Sequence, residues 1–262
     1  MENETVSIIL TVHNQEEIIG EVFSAIIENM SKNTKELIVI LDGCTDNSER
    51  EIDKHLINAK NKGVDIKIII TPDVNEVIAN NVGLKNSTCK YSLLVQDDCK
   101  ITEKDFDLRM LKPFQVVPNL IAVSGRDAVD TRLVDGKLDY YNVGGKDVGT
   151  QRHVFSIRDA VNRSPLMLNN EMAKEMGYFD EDFAPLDSDD VDLCIRAYKE
   201  KYYLCGSYVI EFESPLHWGK TRSDSESAKV WEKSMIKNHK LIVDRHYDFI
   251  TGKKHSRDMG IV

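Results

Sequence analysis

Short apolar runs alternate with helical patterns along the first third of the chain, and this alternation constrains the fold more than any other feature. Four short apolar runs, at 6–12, 37–41, 66–70 and 91–95, predict strands, and the first, which is rich in β-branched residues, is consistent with a buried strand. Between the first two runs, apolar residues recur at helical spacing from Ile18 to Ile27. Repeated strand–helix–strand units predict an α/β fold, with a mostly parallel sheet and helices on both faces.

The second half of the chain has a different pattern. Residues 126–164 are polar and punctuated by glycine, with a hairpin signal at Asp135-Gly136, which predicts a functional loop or a small excursion from the sheet. Helical patterns return at 170–176 and 190–199, and residues 225–247 predict a long amphipathic helix. Neither a repeat nor a low-complexity linker divides the chain, so we expect a single domain over 1–262.

Composition excludes several classes of protein. The formal net charge of −10 disfavours broad nucleic-acid binding. Five scattered cysteines without a CxxC pair argue against a disulfide framework or a structural zinc site, and favour a reducing compartment. Without a signal-peptide pattern or a run of roughly 20 apolar residues, a cytoplasmic location is expected. Residues 220–262 carry 10 Lys or Arg against 6 Asp or Glu, which predicts either a solvated helix or contact with anionic lipid or a diphosphate.

Polar side chains follow three of the predicted strands. Thr11, His13 and Asn14 end the first, Asp42 ends the second, and Gln96, Asp97 and Asp98 end the fourth. Ligands of open α/β sheets bind at the carboxyl ends of strands, and adjacent carboxylates suit Mg²⁺ or Mn²⁺. Helix capping is the alternative at the first strand, because Asn14 and Glu17 have the spacing of a capping box.

Two later segments also carry candidate functional groups. Asp187, Asp189 and Asp190 precede or begin a predicted helix, where one could act as a general base or where all could simply be acidic capping residues. His217 and Trp218 lie in a predicted loop. The histidine is either a metal ligand or an ordinary surface or core residue, and the tryptophan either stacks on a sugar or anchors packing.

Taken in order, these segments resemble the inverting nucleotide-sugar glycosyltransferases of family 2, which have the GT-A fold. The stretch LIVILDGCTDNS at 37–48 is the most specific match, and 6–14, Asn81 with Gly83, GYFD at 177–180 and DDVDLCIR at 189–196 follow in the family's order. The resemblance runs from Val6 to about Trp218. It implies a nucleotide-binding half at 1–100, an acceptor-binding half with a small second sheet at 101–219, and a helical tail at 220–262.

The resemblance also implies roles for individual residues. Asp190 would be the catalytic base, with Asp189 as the other candidate, and Asp98 and His217 would bind a divalent metal, Mn²⁺ or Mg²⁺. Trp218 and Asp187 would contact the acceptor. The nucleotide, expected to be UDP, would be bound by Thr11, His13, Asn14, Glu17, Asp42, Asn81, Gln96 and Asp97.

The implied activity is transfer of a sugar from a nucleoside-diphosphate donor to an acceptor hydroxyl, in the synthesis of a cell-surface glycan or polysaccharide. The acceptor would be a glycan or a lipid-linked glycan, with peripheral contact between the basic tail and the inner face of the membrane. Gln96 stands where the family's metal motif usually begins with Asp, which leaves open a non-catalytic carbohydrate-binding or assembly subunit. A pyrophosphorylase or a dinucleotide-dependent dehydrogenase is disfavoured, because 10–20 contains neither a glycine-rich phosphate loop nor GxGxxG.

Overall fold

A nine-stranded sheet forms the centre of the computed structural model, which describes residues 4–215, 217–219, 224–252 and 255–261, apart from the side chain of Asn142. Four neighbouring strands are parallel, in the spatial order β3-β2-β1-β4. They are β1 (Val6–Val12), β2 (Thr34–Asp42), β3 (Asp65–Thr71) and β4 (Tyr91–Gln96). The four predicted strands are therefore confirmed, with small extensions at their ends.

The sheet continues beyond β4 with a mixture of parallel and antiparallel neighbours, in the order β4-β11-β6-β12-β9-β14. β11 is antiparallel to both of its neighbours, and β12 is parallel to β6. These strands are β6 (Leu120–Ser124), β9 (Val154–Arg158), β11 (Leu166–Asn169), β12 (Leu204–Ser207) and β14 (Arg257–Gly260).

Two small sheets complete the α/β architecture. β7 (Asp127–Val134) and β8 (Lys137–Gly145) form a hairpin, and β10 (Ala160–Val161) pairs with β7. Asp135 and Gly136 both have positive φ in the turn, as the hairpin signal predicted. β5 (Lys100–Ile101) pairs with β13 (Phe212–Glu213). The polar segment 126–164 thus supplies all three strands of a second sheet and one strand, β9, of the central sheet, and the predicted fold class is confirmed.

Helices cover both faces of the central sheet because alternate strand residues point to opposite faces. Ile8 and Leu10 of β1 belong to one apolar cluster, whereas Ile9 belongs to the other. The helices are α1 (Ile19–Asn29), α2 (Ser48–Asp53), α3 (Leu56–Asn61), α4 (Glu76–Asn86), α5 (Phe106–Val116), α6 (Asn170–Glu175), α7 (Asp189–Lys201) and α8 (Ser225–Thr251).

The predicted N-cap at Asn14 is wrong. α1 begins at Ile19, and Asn14 lies earlier with a φ of 51°. Its side-chain oxygen accepts hydrogen bonds from the backbone N–H groups of Thr45, at 2.7 Å, and Asp46, at 3.3 Å. Asn14 therefore joins the loops that follow β1 and β2, because these tertiary partners compete with capping of its own helix.

The long amphipathic helix predicted near the C-terminus is confirmed as α8. Its inward face buries Ser234, Asn238, Ile242 and His246, and it packs on α7 and on the β7–β8 hairpin. Within the described ranges, every helix is too short or too polar to cross a membrane.

Candidate active site

A cavity of about 1140 Å³ opens where β1, β2 and β4 end. Thr11, Asp42 and Gln96, from the ends of these three strands, all line it. The β7–β8 hairpin, the start of α7 and the start of α8 supply other parts of the wall. Parallel strands bring their carboxyl ends to the same edge, so side chains distant in sequence converge there.

The end of β1 is held by hydrogen bonds to neighbouring elements. The Thr11 hydroxyl donates to the Asn80 side-chain oxygen of α4 at 2.8 Å. His13 donates its backbone N–H to Asp97 at 2.9 Å, and its Nδ1 lies 2.6 Å from the carbonyl oxygen of Asp42. His13 therefore connects the ends of all three strands.

Asp42 is a buried carboxylate at the tip of β2. Its Oδ1 accepts hydrogen bonds from the Thr71 hydroxyl at 2.8 Å and from the backbone N–H of Val74 at 2.7 Å. Among the described residues, one group of potential metal ligands has its ligand atoms within 4.8 Å of one another, and it consists of His13, Asp42 and Asp73.

The three residues at the end of β4 have different environments. Gln96 donates its side-chain N–H to Glu76 of α4 at 2.8 Å. Burial raises the pKa of Asp97 to about 7, with a further contribution from the carboxylates of Asp98 and Glu76. Asp98 is buried and lines the cavity. This end of β4 therefore concentrates negative charge.

The carboxylates of Asp97 and Asp98 at the end of β4 are chemically suited to bind a divalent cation. Carboxylate oxygens are the ligands that Mg²⁺ and Mn²⁺ prefer, and a cation would offset the repulsion from Asp98 and Glu76 that adds to the effect of burial on the pKa of Asp97. His217, the other predicted ligand, is exposed, and its ring lies edge-on to that of Trp218 at 6.2 Å. It is not among the described residues that line the cavity.

The two adjacent aspartates that begin α7 point to different surroundings. Asp190 lines the cavity, and its Oδ2 accepts a hydrogen bond from the backbone N–H of Arg163 at 2.9 Å. Burial raises the pKa of Asp190 to about 7, against the opposing charge of Arg163. Asp189 is fully buried and forms an ion pair with the Arg163 guanidinium.

The backbone before α7 is turned sharply, which aims this helix start at the cavity. Asp187 and Ser188 have φ values of 82° and 67°. The Ser188 hydroxyl donates to the Asp187 carboxylate at 2.7 Å and lies 2.8 Å from the Tyr140 hydroxyl of β8. Asp187 and Tyr140 both line the cavity. The acidic helix start is also favoured by the helix dipole.

Sequence reasoning missed Glu76 and Arg163, which connect the predicted metal strand to the predicted base. Glu76 accepts the Gln96 hydrogen bond and lies 3.5 Å from Arg163 Nη1, and the same guanidinium reaches Asp189. Glu76 follows Asn75 at the start of a helix, where polar residues are ordinary. Arg163 lies in the long polar segment, so neither position stands out in the sequence.

Four other predicted residues lie outside the wall of the cavity. Asn14 bridges two loops, as described above, and Glu17 is exposed on a separate acidic groove beside α1. Asn81 is buried in α4, where its side chain exchanges hydrogen bonds with the Phe179 backbone, at 2.9 and 3.1 Å. Trp218 packs against the apolar core. The predicted contacts of these residues with substrate stay predictions.

Known proteins share both sequence and fold with this chain. The sequence model described as "Glycosyl transferase family 2" matches residues 7–162, more than half of the chain. A poly-β-1,6-N-acetyl-D-glucosamine synthase of Staphylococcus epidermidis is 26% identical over 188 residues, which are 68% of this chain and 43% of the synthase. The chain thus spans less than half the length of that relative.

Two solved structures have the same fold at low identity. Residues 1–349 of Staphylococcus aureus TarS in complex with UDP have a TM-score of 0.51 at 18% identity, covering 78% of this chain and 60% of that TarS fragment. The mannosyltransferase PcManGT of Pyrobaculum calidifontis, in complex with GDP-Man and Mn²⁺, has a TM-score of 0.60 at 13% identity, covering 95% of this chain and 65% of that protein. The predicted GT-A fold is confirmed, and the family model matches more than half of the chain. The chain therefore belongs to glycosyl transferase family 2.

Proposed function

We propose that this protein transfers a sugar from a nucleoside-diphosphate donor, a UDP-sugar, to an acceptor hydroxyl with inversion at the anomeric carbon. One observation carries the proposal: the Asp190 carboxylate lines the same cavity as Asp42, Asp97 and Asp98 at the strand ends. A base and a nucleotide site within one cavity are what direct displacement requires.

The nucleotide-binding half, 1–100, supplies the donor site in this proposal. Thr11, His13 and Asp42 line the cavity at the ends of β1 and β2, where they would contact the nucleoside. Gln96, Asp97 and Asp98 would face the diphosphate from the end of β4. The UDP bound to TarS and the GDP-Man bound to PcManGT support a nucleotide-sugar donor.

Asp98, with Asp97 beside it, would hold a divalent metal, and His217 remains a further predicted ligand. When bound, Mn²⁺ or Mg²⁺ supplies positive charge that stabilises the departing diphosphate. The Mn²⁺ in the PcManGT structure supports this dependence.

Asp190 would act as the base, and Asp189 would hold Arg163. Asp190 takes the proton of an acceptor hydroxyl, whose oxygen forms a bond to the anomeric carbon as the bond from that carbon to the diphosphate oxygen breaks. The products are the extended acceptor and a nucleoside diphosphate. A pKa near 7 suits this role, because the group is then partly ionised and still basic at neutral pH.

The acceptor-binding half, 101–219, and the tail, 220–262, would form the acceptor side of the cavity. Both would belong to the same single domain as the nucleotide-binding half. A polysaccharide or lipid-linked glycan acceptor is supported by the name of the Staphylococcus epidermidis relative. A cytoplasmic location with peripheral membrane contact through the tail also belongs to the proposal. Several tail cations already have intramolecular partners: Lys240 pairs with Asp244, and Arg245 pairs with Asp180 and Asp182.

Nucleotide binding tests the donor site directly. Thermal unfolding is measured with UDP, TDP, GDP and CMP, each with and without Mn²⁺. Ligand at about 100 times its Kd stabilises the folded protein by about 2.7 kcal/mol. We expect a Mn²⁺-dependent shift with UDP, and no shift with any nucleotide would favour the non-catalytic subunit.

Stereochemistry tests the proposed reaction. An α-linked UDP-sugar should give a β-linked product in the anomeric region of the proton NMR spectrum. The Asp190→Asn variant should still bind UDP but transfer at least about 100-fold more slowly. A retained α-linkage, or wild-type transfer by this variant, would contradict the mechanism.

A further inference from the structure

A two-residue segment, Arg163-Ser164, links the end of β4 to the start of α7. It lies just before β11, the antiparallel neighbour of β4. The Ser164 hydroxyl oxygen accepts a hydrogen bond from the backbone N–H of Gln96 at 2.9 Å. The backbone N–H of Arg163 donates to Asp190 Oδ2, also at 2.9 Å. Two adjacent residues therefore hold both the strand end that would bind the metal and the carboxylate that would act as the base.

The Arg163 guanidinium is a buried cation beside the cavity. Its side chain is only 6% exposed, and the guanidinium carbon lies 4.9 Å from the centroid of the Phe179 ring. The guanidinium forms ion pairs with Asp189 and, at 3.5 Å, with Glu76 of α4. A buried cation is costly unless carboxylates compensate its charge, so these two partners hold it in place. With so little of its surface accessible, Arg163 is placed to act through its neighbours rather than on a substrate.

The charges around Asp190 oppose one another. Burial raises the pKa of Asp190 to about 7, and the carboxylates of Asp189 and Asp187 add to this effect, whereas the Arg163 cation lowers the pKa. The other charged or titratable groups on the elements packed around this helix start are Glu76 of α4, Tyr140 of β8 and His239 of α8. The guanidinium thus counteracts groups that would otherwise keep the proposed base protonated.

We propose that Arg163 is a positioning residue for sugar transfer. Its backbone N–H orients the Asp190 carboxylate, and its guanidinium, held by Asp189 and Glu76, keeps that carboxylate ionised and ready to accept a proton. The inference rests on the proposed function, in which Asp190 is the base. The proton still passes from the acceptor hydroxyl to Asp190, and Arg163 neither gains nor loses one.

The simpler alternative is that Arg163 only fastens α4 to α7 through its two ion pairs. Both roles predict that a neutral residue at 163 destabilises the fold, because it leaves buried carboxylates without their counter-charge. Only the positioning role predicts that the ionisation of Asp190 changes. The titration of this one carboxyl group therefore separates the two roles.

Carboxyl ¹³C NMR of protein labelled at its aspartates measures that titration, with the Asp190 signal identified by its loss in Asp190→Asn. Because an opposite charge nearby lowers a carboxyl pKa by about 1–3 units, Arg163→Gln should raise the Asp190 midpoint by about one pH unit or more. Arg163→Lys keeps the charge and should stay close to the wild-type midpoint. An unchanged midpoint in Arg163→Gln would overturn the inference.

Arg126→Gln is the matched control. Arg126 is another arginine of the cavity wall, but it pairs with Asp127 and Asp147 instead. Its replacement should leave the Asp190 midpoint nearly unchanged. An equal rise in Arg126→Gln and Arg163→Gln would mean that the cavity responds to any lost cation, and the specific role of Arg163 would be refuted.

A double variant covers the case in which Arg163→Gln does not fold. Arg163→Gln/Asp189→Asn removes both members of the buried pair, so that no charge of this pair is stranded. Its Asp190 midpoint is compared with that of Asp189→Asn alone, which isolates the contribution of Arg163. We expect the higher midpoint in the double variant, and equal midpoints would again contradict the inference.

The pH dependence of sugar transfer is the second test. At pH 7, a rise of one unit in the Asp190 pKa lowers the ionised fraction, and with it kcat/KM, about fivefold. Transfer by Arg163→Gln should therefore recover as the pH is raised, with its midpoint displaced as in the NMR titration. A merely structural role would lower kcat/KM by the same factor at every pH.

Failure of the inference can be distinguished from failure of the proposed function, because the NMR titration needs neither substrate nor turnover. If transfer occurs and is lost in Asp190→Asn, but Arg163→Gln leaves the Asp190 midpoint unchanged, only the role of Arg163 falls. If the midpoint moves while neither nucleotide binding nor transfer is detected, the transferase proposal falls and the electrostatic coupling of Arg163 to Asp190 remains.

Discussion

Replacing Asp190 by asparagine should remove activity and, at the same time, stabilise the fold at alkaline pH. The carboxyl group is buried between the charges of Arg163, Asp189 and Asp187, and burial raises its pKa from 3.8 to about 7. In the unfolded chain Asp190 ionises near the lower pKa. At any pH between the two pKa values, the folded protein therefore holds one more proton than the unfolded chain. The free energy of unfolding therefore falls as pH rises through this window, and the loss is complete above about pH 7.

The two pKa values set the size of the effect. Proton linkage for a single group gives a loss of about 2–3 kcal/mol between pH 5 and pH 8.5 in the wild type. Asparagine cannot ionise, so the stability advantage of Asp190→Asn over the wild type should grow by that amount across the same range. Urea denaturation of both proteins at the two pH values measures it, with sugar transfer assayed in parallel.

Asp189→Asn is the matched control, one residue away on the same helix. Asp189 pairs with the buried Arg163 guanidinium, and removing its charge leaves that cation with Glu76 at 3.5 Å. We expect this variant to be destabilised by about 3 kcal/mol, because the buried guanidinium loses its nearest counter-charge. If the stability difference between Asp190→Asn and wild type does not change with pH, the reasoning about the buried carboxyl is refuted.

Further predictions concern packing, charge placement and metal. Gly83→Ala places a Cβ 2.3 Å from Cγ2 of Ile9 and should destabilise the protein by about 1–3 kcal/mol. Gly20→Ala, whose added Cβ has its nearest neighbours at 3.7 Å, should instead stabilise α1 by up to about 1 kcal/mol. Urea denaturation measures both effects. Gln96→Glu sets a second carboxylate against Glu76 and should lower the melting temperature, which adding Glu76→Gln should largely restore. EDTA should abolish transfer without changing the circular dichroism spectrum, and Mn²⁺ should restore it. Wild-type transfer should rise with pH through about 7, and a flat pH profile would contradict the assigned base.

Local patterns were sufficient where one element determines its own structure. The short apolar runs predicted β1 to β4, of which β1, β2 and β4 are largely buried, as expected of strands covered on both faces, whereas β3 lies at the edge of the sheet. Asp135-Gly136 predicted its hairpin because the turn needs two residues that tolerate positive φ. Asn14 was misassigned because its partners, Thr45 and Asp46, are distant in sequence.

By itself, the sequence determined the α/β class, the family resemblance and the strand ends at which the cavity forms. Tertiary structure decided which side chains face that cavity. Neighbouring residues of a helix point about 100° apart, so only the docking of α7 directs Asp190 into the cavity and Asp189 toward Arg163. In the same way, the partly buried Trp218 packs against the core, while Asn238 anchors α8 and Trp231 of that helix lines the cavity. Composition and spacing do not encode these choices, because each depends on partners that are brought together only by folding.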